Sequence, residues 1–181
     1  MQEKYLKPSV LILHGWGGSD SPHWQDVLAR ELASKGYPVF FPHLPNRDNP
    51  TLESWIEALD NIITSCKPSI IICHSLANIL LFHYLEASPE LHFDKILLVA
   101  PPSSDAGNSE IASFFPFPTP NINAKQKLLV ASTNDKYASS VDAITIAMNT
   151  GSEVHMVENG GHINTESGFG KWDFAFDWIK A

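Results

Sequence analysis

At 181 residues, with 44% apolar and 18% charged content, the chain has enough apolar material for one compact domain spanning residues 1–181. A formal net charge of −8, with no two Lys or Arg residues adjacent, argues against nucleic acid or an anionic membrane as partner, since both select basic surfaces. The opening MQEKYLKPSVLILHG has only a four-residue apolar run, Val10 to Leu13, too short for a secretion signal or a membrane span, so a cytoplasmic location is expected.

That run, Val10–Leu13, predicts the first strand, and the glycine-rich His14-Gly15-Trp16-Gly17-Gly18-Ser19 follows it. Trp24–Ser34 has helical periodicity, with Ser21-Pro22 ahead of it reading as a capping serine and a proline at the first helical position. A short strand at Val39–Phe41, a helix at Leu52–Ser65 and a strand at Ile70–Cys73 come next. Past His74-Ser75 the helical pattern Leu76–Ala87 begins at once, and Ile96–Ala100 is the fourth strand. From Pro101 to Asn123 the rhythm breaks: five prolines and three phenylalanines lie between two strands, long for a connection in a compact domain. Leu128–Ala131, Tyr137–Asn149, Glu153–Val157 and Trp172–Lys180 complete the alternation as strand, helix, strand and helix. Continuously apolar strands are buried on both faces, so this order predicts an α/β domain: about six parallel strands with helices on both faces.

In such a sheet every strand's C-terminal end faces the same side, and the loops there converge. Ser75 follows the third strand, Asp135 the fifth and His162 the sixth, the chain order of an α/β-hydrolase. Each type meets a chemical need. A serine hydroxyl is a weak nucleophile until a base takes its proton; His162 is the base, and Asp135 would fix its tautomer and stabilise its charged form. An oxyanion needs backbone donors, worth about 3 kcal/mol each, and the amides of Trp16 and Leu76 are the candidates. Taken singly, Ser75 also reads as a helix cap, Asp135 as a turn residue and His162 as a loop histidine. Asp105, after the fourth strand, is the rival acid. Phe114, Phe115 and Phe117 of the long loop are candidates for a substrate-binding wall, with an inert cover over the sheet edge as the alternative.

Other chemistries are disfavoured. Gly15-Trp16-Gly17-Gly18-Ser19-Asp20 approximates a dinucleotide fingerprint, but Asp20 replaces its third glycine and the second strand ends Phe41-Pro42-His43 without an acid for a ribose. Cys66 and Cys73 have no metal spacing, and the eight histidines form neither H-x-x-x-H nor H-E-x-x-H, so no cofactor and no metal are expected.

The segments HGWGGSDSPHWQ (14–25), HS (74–75), ND (134–135) and GHINTESGFGKW (161–172) together resemble the compact serine hydrolases of the YdeN and retinoblastoma-binding-protein-nine family. The resemblance implies a minimal α/β-hydrolase fold without a large cap domain, and a triad at Ser75, Asp135 and His162. His23-Trp24 and Gly168-Phe169-Gly170-x-Trp172 are its most distinctive parts, although neither reads as catalytic. Two departures stand out: the elbow glycines of G-x-S-x-G are Cys73 and Ala77, both small, and the L-x-C-x-E pattern of some relatives is absent around Cys66, so no protein partner is carried over. The expectation is a serine hydrolase cleaving a small ester, thioester or amide, with a small molecule or short peptide as substrate. The alternatives are a non-catalytic binding module on the same fold and an acyltransferase using the same triad.

Overall fold

The computed structural model describes residues 7–181, so the first six residues of the N-terminal stretch lie outside it. Six strands, β1 (Val10–Leu13), β2 (Val39–Phe40), β3 (Ile70–His74), β4 (Phe93–Val99), β5 (Ala124–Ser132) and β6 (Glu153–Val157), form one sheet in the order β2-β1-β3-β4-β5-β6. Every neighbouring pair is parallel. The helices are α1 (Trp24–Ser34), α2 (Leu52–Cys66), α3 (Leu76–Ala87), α4 (Ser140–Thr150) and α5 (Asp173–Lys180).

Alternation along the central strands divides the core in two. Leu11, Leu13, Ile71 and Cys73 face a large cluster with residues of α2, α3 and α4. Val10, Ile12, Ile70 and Ile72 face a second cluster with Trp24 and Leu28 of α1 and Phe176 and Ile179 of α5. Burial on both faces, the condition that makes a strand read as one apolar run, holds for β1 and β3. It does not hold at the edges: β2 is half-buried, and Glu153, Val154 and His155 of β6 are exposed.

Beyond strand and helix ends, local details differ from the sequence expectation at the cap of α1, the start of α4 and the phenylalanines of the long connection. The cap of α1 is His23, whose Nδ1 accepts from the Gln25 amide at 3.2 Å; Ser21 lies two residues too early and is exposed. Helix α4 begins at Ser140 rather than Tyr137, because Ser139 and Asp142 form a reciprocal capping box that sets its first turn. The phenylalanines of the 101–123 segment turn inward. Phe114, in a single 3-10 turn at Ala112–Phe114, is fully buried edge-on against Trp55 with ring centroids 5.3 Å apart. Phe117 packs on Phe82, and Phe115 on Phe117. Two hydrogen bonds sew this part of the segment to the helices beneath: the Leu52 amide donates to Ser113 Oγ at 3.0 Å, and His83 Nε2 donates to the Phe114 carbonyl at 3.0 Å.

Phe114 is therefore part of the core, and Phe114→Ala should cost roughly 3–5 kcal/mol of stability, measured as a drop in the urea unfolding midpoint.

Candidate active site

The chain runs from β1 out to β2 on one side and returns to β3 on the other, so the switch in direction falls between β1 and β3. Open parallel sheets bind ligands in the crevice above such a point. Leu13 and Cys73 are paired in register, which brings the loops after the two strands together at one height.

Ser75 stands between β3 and α3 with φ 54° and ψ −124°, a backbone state that non-glycine residues rarely occupy. The neighbourhood over-determines it. The Ser75 amide donates to the Val99 carbonyl at 3.0 Å, and its carbonyl accepts from the Asn78 backbone amide and from Asn78 Nδ2 at 2.8 Å. Asn78 Nδ2 also reaches the Val99 carbonyl at 2.9 Å. Asn78 escaped the sequence reading, although a buried polar residue inside the apolar run LANILL was the available signal. Cys73 and Ala77, the small flanks of the turn, are fully buried in the same cluster.

Ser75 occupies the N-cap position of α3, yet its hydroxyl makes no capping bond. It donates instead to His162 Nε2 at 2.8 Å, while His162 Nδ1 donates to Asp135 Oδ2 at 2.8 Å. The Asp135 side chain is only 3% exposed, and its other oxygen accepts from the Tyr137 amide at 2.9 Å, so the carboxylate is held at both ends. Asp105, the rival acid, is exposed on the loop and bonds to no histidine. Next to Asp135, Asn134 Oδ1 accepts from the Gly161 amide at 2.7 Å, and Thr133 Oγ1 accepts from the Asn159 amide at 2.9 Å. These bonds tie the loop after β5 to the loop after β6.

Glycine at 15 is a spatial requirement: a Cβ there would stand 2.9 Å from Ser75 Cβ and 3.0 Å from the His74 carbonyl oxygen. The same Cβ would stand 3.4 Å from the Leu76 amide nitrogen, and neither the Trp16 nor the Leu76 amide donates to a protein acceptor among the described residues. The Trp16 loop is itself pinned. His14 Nε2 accepts from the Leu44 amide at 2.9 Å, so its Nδ1 carries the hydrogen and donates to the Gly15 carbonyl at 2.7 Å. The Gly17 amide donates to the Arg47 carbonyl, and Trp16 Nε1 donates to the Asp48 carbonyl at 3.0 Å.

A cavity of about 270 Å³ opens over Ser75. Besides Trp16, Leu76 and His162, its wall includes His23, Pro102, Asn108, Ile111, Tyr137 and Glu166. The 101–123 segment thus contributes to the wall through its first half, whereas Phe114, Phe115 and Phe117 do not border the cavity. Position was the better guide than aromaticity here: residues just beyond β4 lie nearest the crevice.

Histidines crowd this region. His74 is buried next to Ser75, its ring 5.1 Å from His162 and 4.9 Å from His23. Its Nε2 donates to the His162 carbonyl at 3.0 Å. Trp24 Nε1 donates to the adjoining Ile163 carbonyl at 2.8 Å, and the Trp24 ring is buttressed by Trp172 at 5.0 Å. Burial, reinforced by the neighbouring His162, holds His74 well below the ordinary histidine pKa. Burial likewise brings His23 down to about 4, and it lowers His14. Among the described residues no His, Cys, Asp or Glu cluster is arranged to hold a metal ion, and no helix is long and apolar enough to cross a membrane.

The model of a family described as serine hydrolase matches residues 10–181. The chain is 24% identical to the hydrolase YdeN of Bacillus subtilis strain 168, an alignment covering 97% of this chain and 96% of that protein. Its fold superposes on the B. subtilis YdeN crystal structure with a TM-score of 0.81 at 22% identity, covering 96% of this chain and 97% of the other. For a YdeN-like hydrolase of Pectobacterium atrosepticum the TM-score is 0.78 at 24% identity, covering 95% and 89%. Est1E of Butyrivibrio proteoclasticus superposes at 0.65 with 11% identity, covering 97% and 89%. The architecture is the α/β-hydrolase fold, without a large cap domain.

The depressed histidines make stability depend on pH. An unfolded chain binds protons at His14, His23 and His74 near pH 6.5, whereas the folded chain resists until lower pH. Their contribution is complete above pH 6.5 and is lost progressively as pH falls toward about 4, where His23 protonates in the folded state. Thermal melts between pH 8 and pH 4.5 should accordingly show a flat Tm above pH 7 and a fall below pH 6.5, smaller in His74→Asn.

Proposed function

The chain belongs to the serine hydrolase family, and on that premise we propose that it cleaves a small carboxylic ester through an acyl-enzyme on Ser75. The observation that supports this reading most strongly is the unbroken hydrogen-bonded line Ser75–His162–Asp135, with both contacts at 2.8 Å. A binding module on this fold would have no use for a serine drawn away from its capping role toward a buried, carboxylate-oriented imidazole. The cavity supports a small substrate, since about 270 Å³ lies at the lower limit of ordinary ligand pockets.

In the proposed reaction the ester carbonyl sits over Ser75 with its oxygen toward the Trp16 and Leu76 amides. His162 Nε2 takes the hydroxyl proton as Oγ bonds to the carbonyl carbon, and the two amides stabilise the oxyanion. Asp135 offsets the positive charge then on His162 and keeps Nδ1 protonated throughout. Collapse of the tetrahedral species breaks the bond to the alcohol oxygen, which takes the proton from Nε2 and leaves. Water enters, gives its proton to the same nitrogen and attacks the acyl-enzyme. The second collapse returns that proton to Ser75 Oγ and releases the acid. Each step reuses one nitrogen, so the position of His162 matters more than that of any other side chain.

Two experiments test this. A fluorophosphonate should add a single covalent label, located at Ser75 by peptide mass spectrometry; unlabelled folded protein would sink the reading. In p-nitrophenyl ester assays Asp135→Asn should lower kcat by about 10⁴-fold, as the acid-to-amide change does in such triads. Asp105→Asn should match the parent, and the reverse pattern would move the acid to the loop after β4.

A further inference from the structure

The His23-Trp24 pair divides its work. Trp24 bonds to the Ile163 carbonyl, but His23 has a ring nitrogen left over. Its Nδ1 is occupied as the acceptor that caps α1. In a neutral imidazole the hydrogen must then reside on Nε2, which is an obligate donor. His23 is 6% exposed and borders the cavity with Ser75 and His162. Its Nε2 has no hydrogen-bond partner among the described residues, and it is not one of the three sealed, unpaired polar atoms, Ser19 Oγ, Gln25 Oε1 and Asn78 Oδ1. A buried donor on a residue that borders the cavity, with no protein acceptor among the described residues, is a recognition group that lacks its acceptor.

Its place relative to the triad suggests which part of a substrate it meets. The leaving group must lie beside His162, because His162 Nε2 protonates it. His23 stands near that side: its ring is 4.9 Å from His74, which bonds to the His162 carbonyl. The oxyanion donors proposed above are backbone amides: Trp16 stands at the start of the loop after β1 that His23 closes at its other end, and Leu76 opens α3.

We propose that His23 is a specificity residue whose Nε2–H donates to an acceptor oxygen on the leaving alcohol, so that the enzyme prefers esters of oxygenated alcohols, glycol- or glycerol-like, over esters of plain alkanols. The proposal rests on the reading of Ser75 as nucleophile. It also accounts for histidine where asparagine or serine would cap the helix as well: only the imidazole caps with one nitrogen and presents a donor from the other.

The test compares two nearly isosteric esters of one short acid, the n-butyl and the 2-methoxyethyl ester, which differ by one methylene replaced with an oxygen. The parent protein should favour the 2-methoxyethyl ester in kcat/KM by about tenfold, the scale of one hydrogen bond in a dry site. His23→Asn keeps a side-chain oxygen to cap α1 but has no atom where Nε2 stands, and the ratio should fall to about one. His23→Gln, whose amide reaches that position, should recover part of the preference. The parent ratio should stay constant between pH 5.5 and 8, because His23 remains neutral there. A parent ratio near one, or an unchanged ratio in folded His23→Asn, would overturn the assignment. Fluorophosphonate labelling at Ser75 without turnover of the ester pair would remove His23 and leave the nucleophile standing. Absence of both label and turnover would remove the hydrolase reading itself.

Discussion

Two neighbouring parallel strands end at the same height, and the loop leaving one must pass the turn leaving the other with no room for a Cβ on Gly15. The rest of the site is arranged around that contact. It draws the loop that carries Trp16 against the turn from Ser75 to Leu76, and the Trp16 and Leu76 amides have no protein acceptor among the described residues. Strain at Ser75 persists because three separate acceptors and donors hold its backbone, and because Cys73 and Ala77 leave space for the strand and helix to close on either side. The missing elbow glycines are thus compatible with the geometry: smallness at the flanks and absence of a side chain at position 15 together do the work the glycine pattern describes.

His162 is positioned by a different device. His162 lies in an irregular loop, yet its own carbonyl is bonded by His74, the next carbonyl by Trp24, its amide by Ser167 and the preceding amide by Asn134. Four side chains from four places in the sequence fix one loop backbone. His74 and Trp24 are buried, with Trp172 behind Trp24, and Tyr137 stands 4.6 Å from the imidazole. The distinctive tail of the chain, from Gly168 to Trp172, acts at this level: it supports the residues that hold His162 rather than bordering the cavity.

How much of this could be read from the sequence follows from what each signal measures. The parallel sheet and the convergence of Ser75, Asp135 and His162 depend on topology, and buried apolar runs report topology well. The polar starts of β4 and β5, at Asp94–Lys95 and Lys125–Lys127, escaped because they lie where the sheet emerges from its helical cover. The first cap was misplaced because a histidine was performing it, a role usually assigned to short oxygen side chains. The phenylalanines were misjudged because composition says that an aromatic residue will be covered without saying by what. Phe114 is covered by Trp55, and the cavity wall goes to Pro102, Asn108 and Ile111 instead.

That division of the 101–123 segment separates two kinds of evolutionary freedom. Its second half is committed to the core, so substitutions there are taxed by folding whatever they do to substrate. Its first half borders solvent and cavity with small or polar residues and few bonds to the body of the protein. A lineage, or an engineer, can therefore vary residues 103 to 110, which lie outside the buried core, to retune what enters the cavity while the scaffold beneath is left undisturbed. In a fold without a cap domain, this short stretch is where divergence of substrate can accumulate independently of divergence of stability.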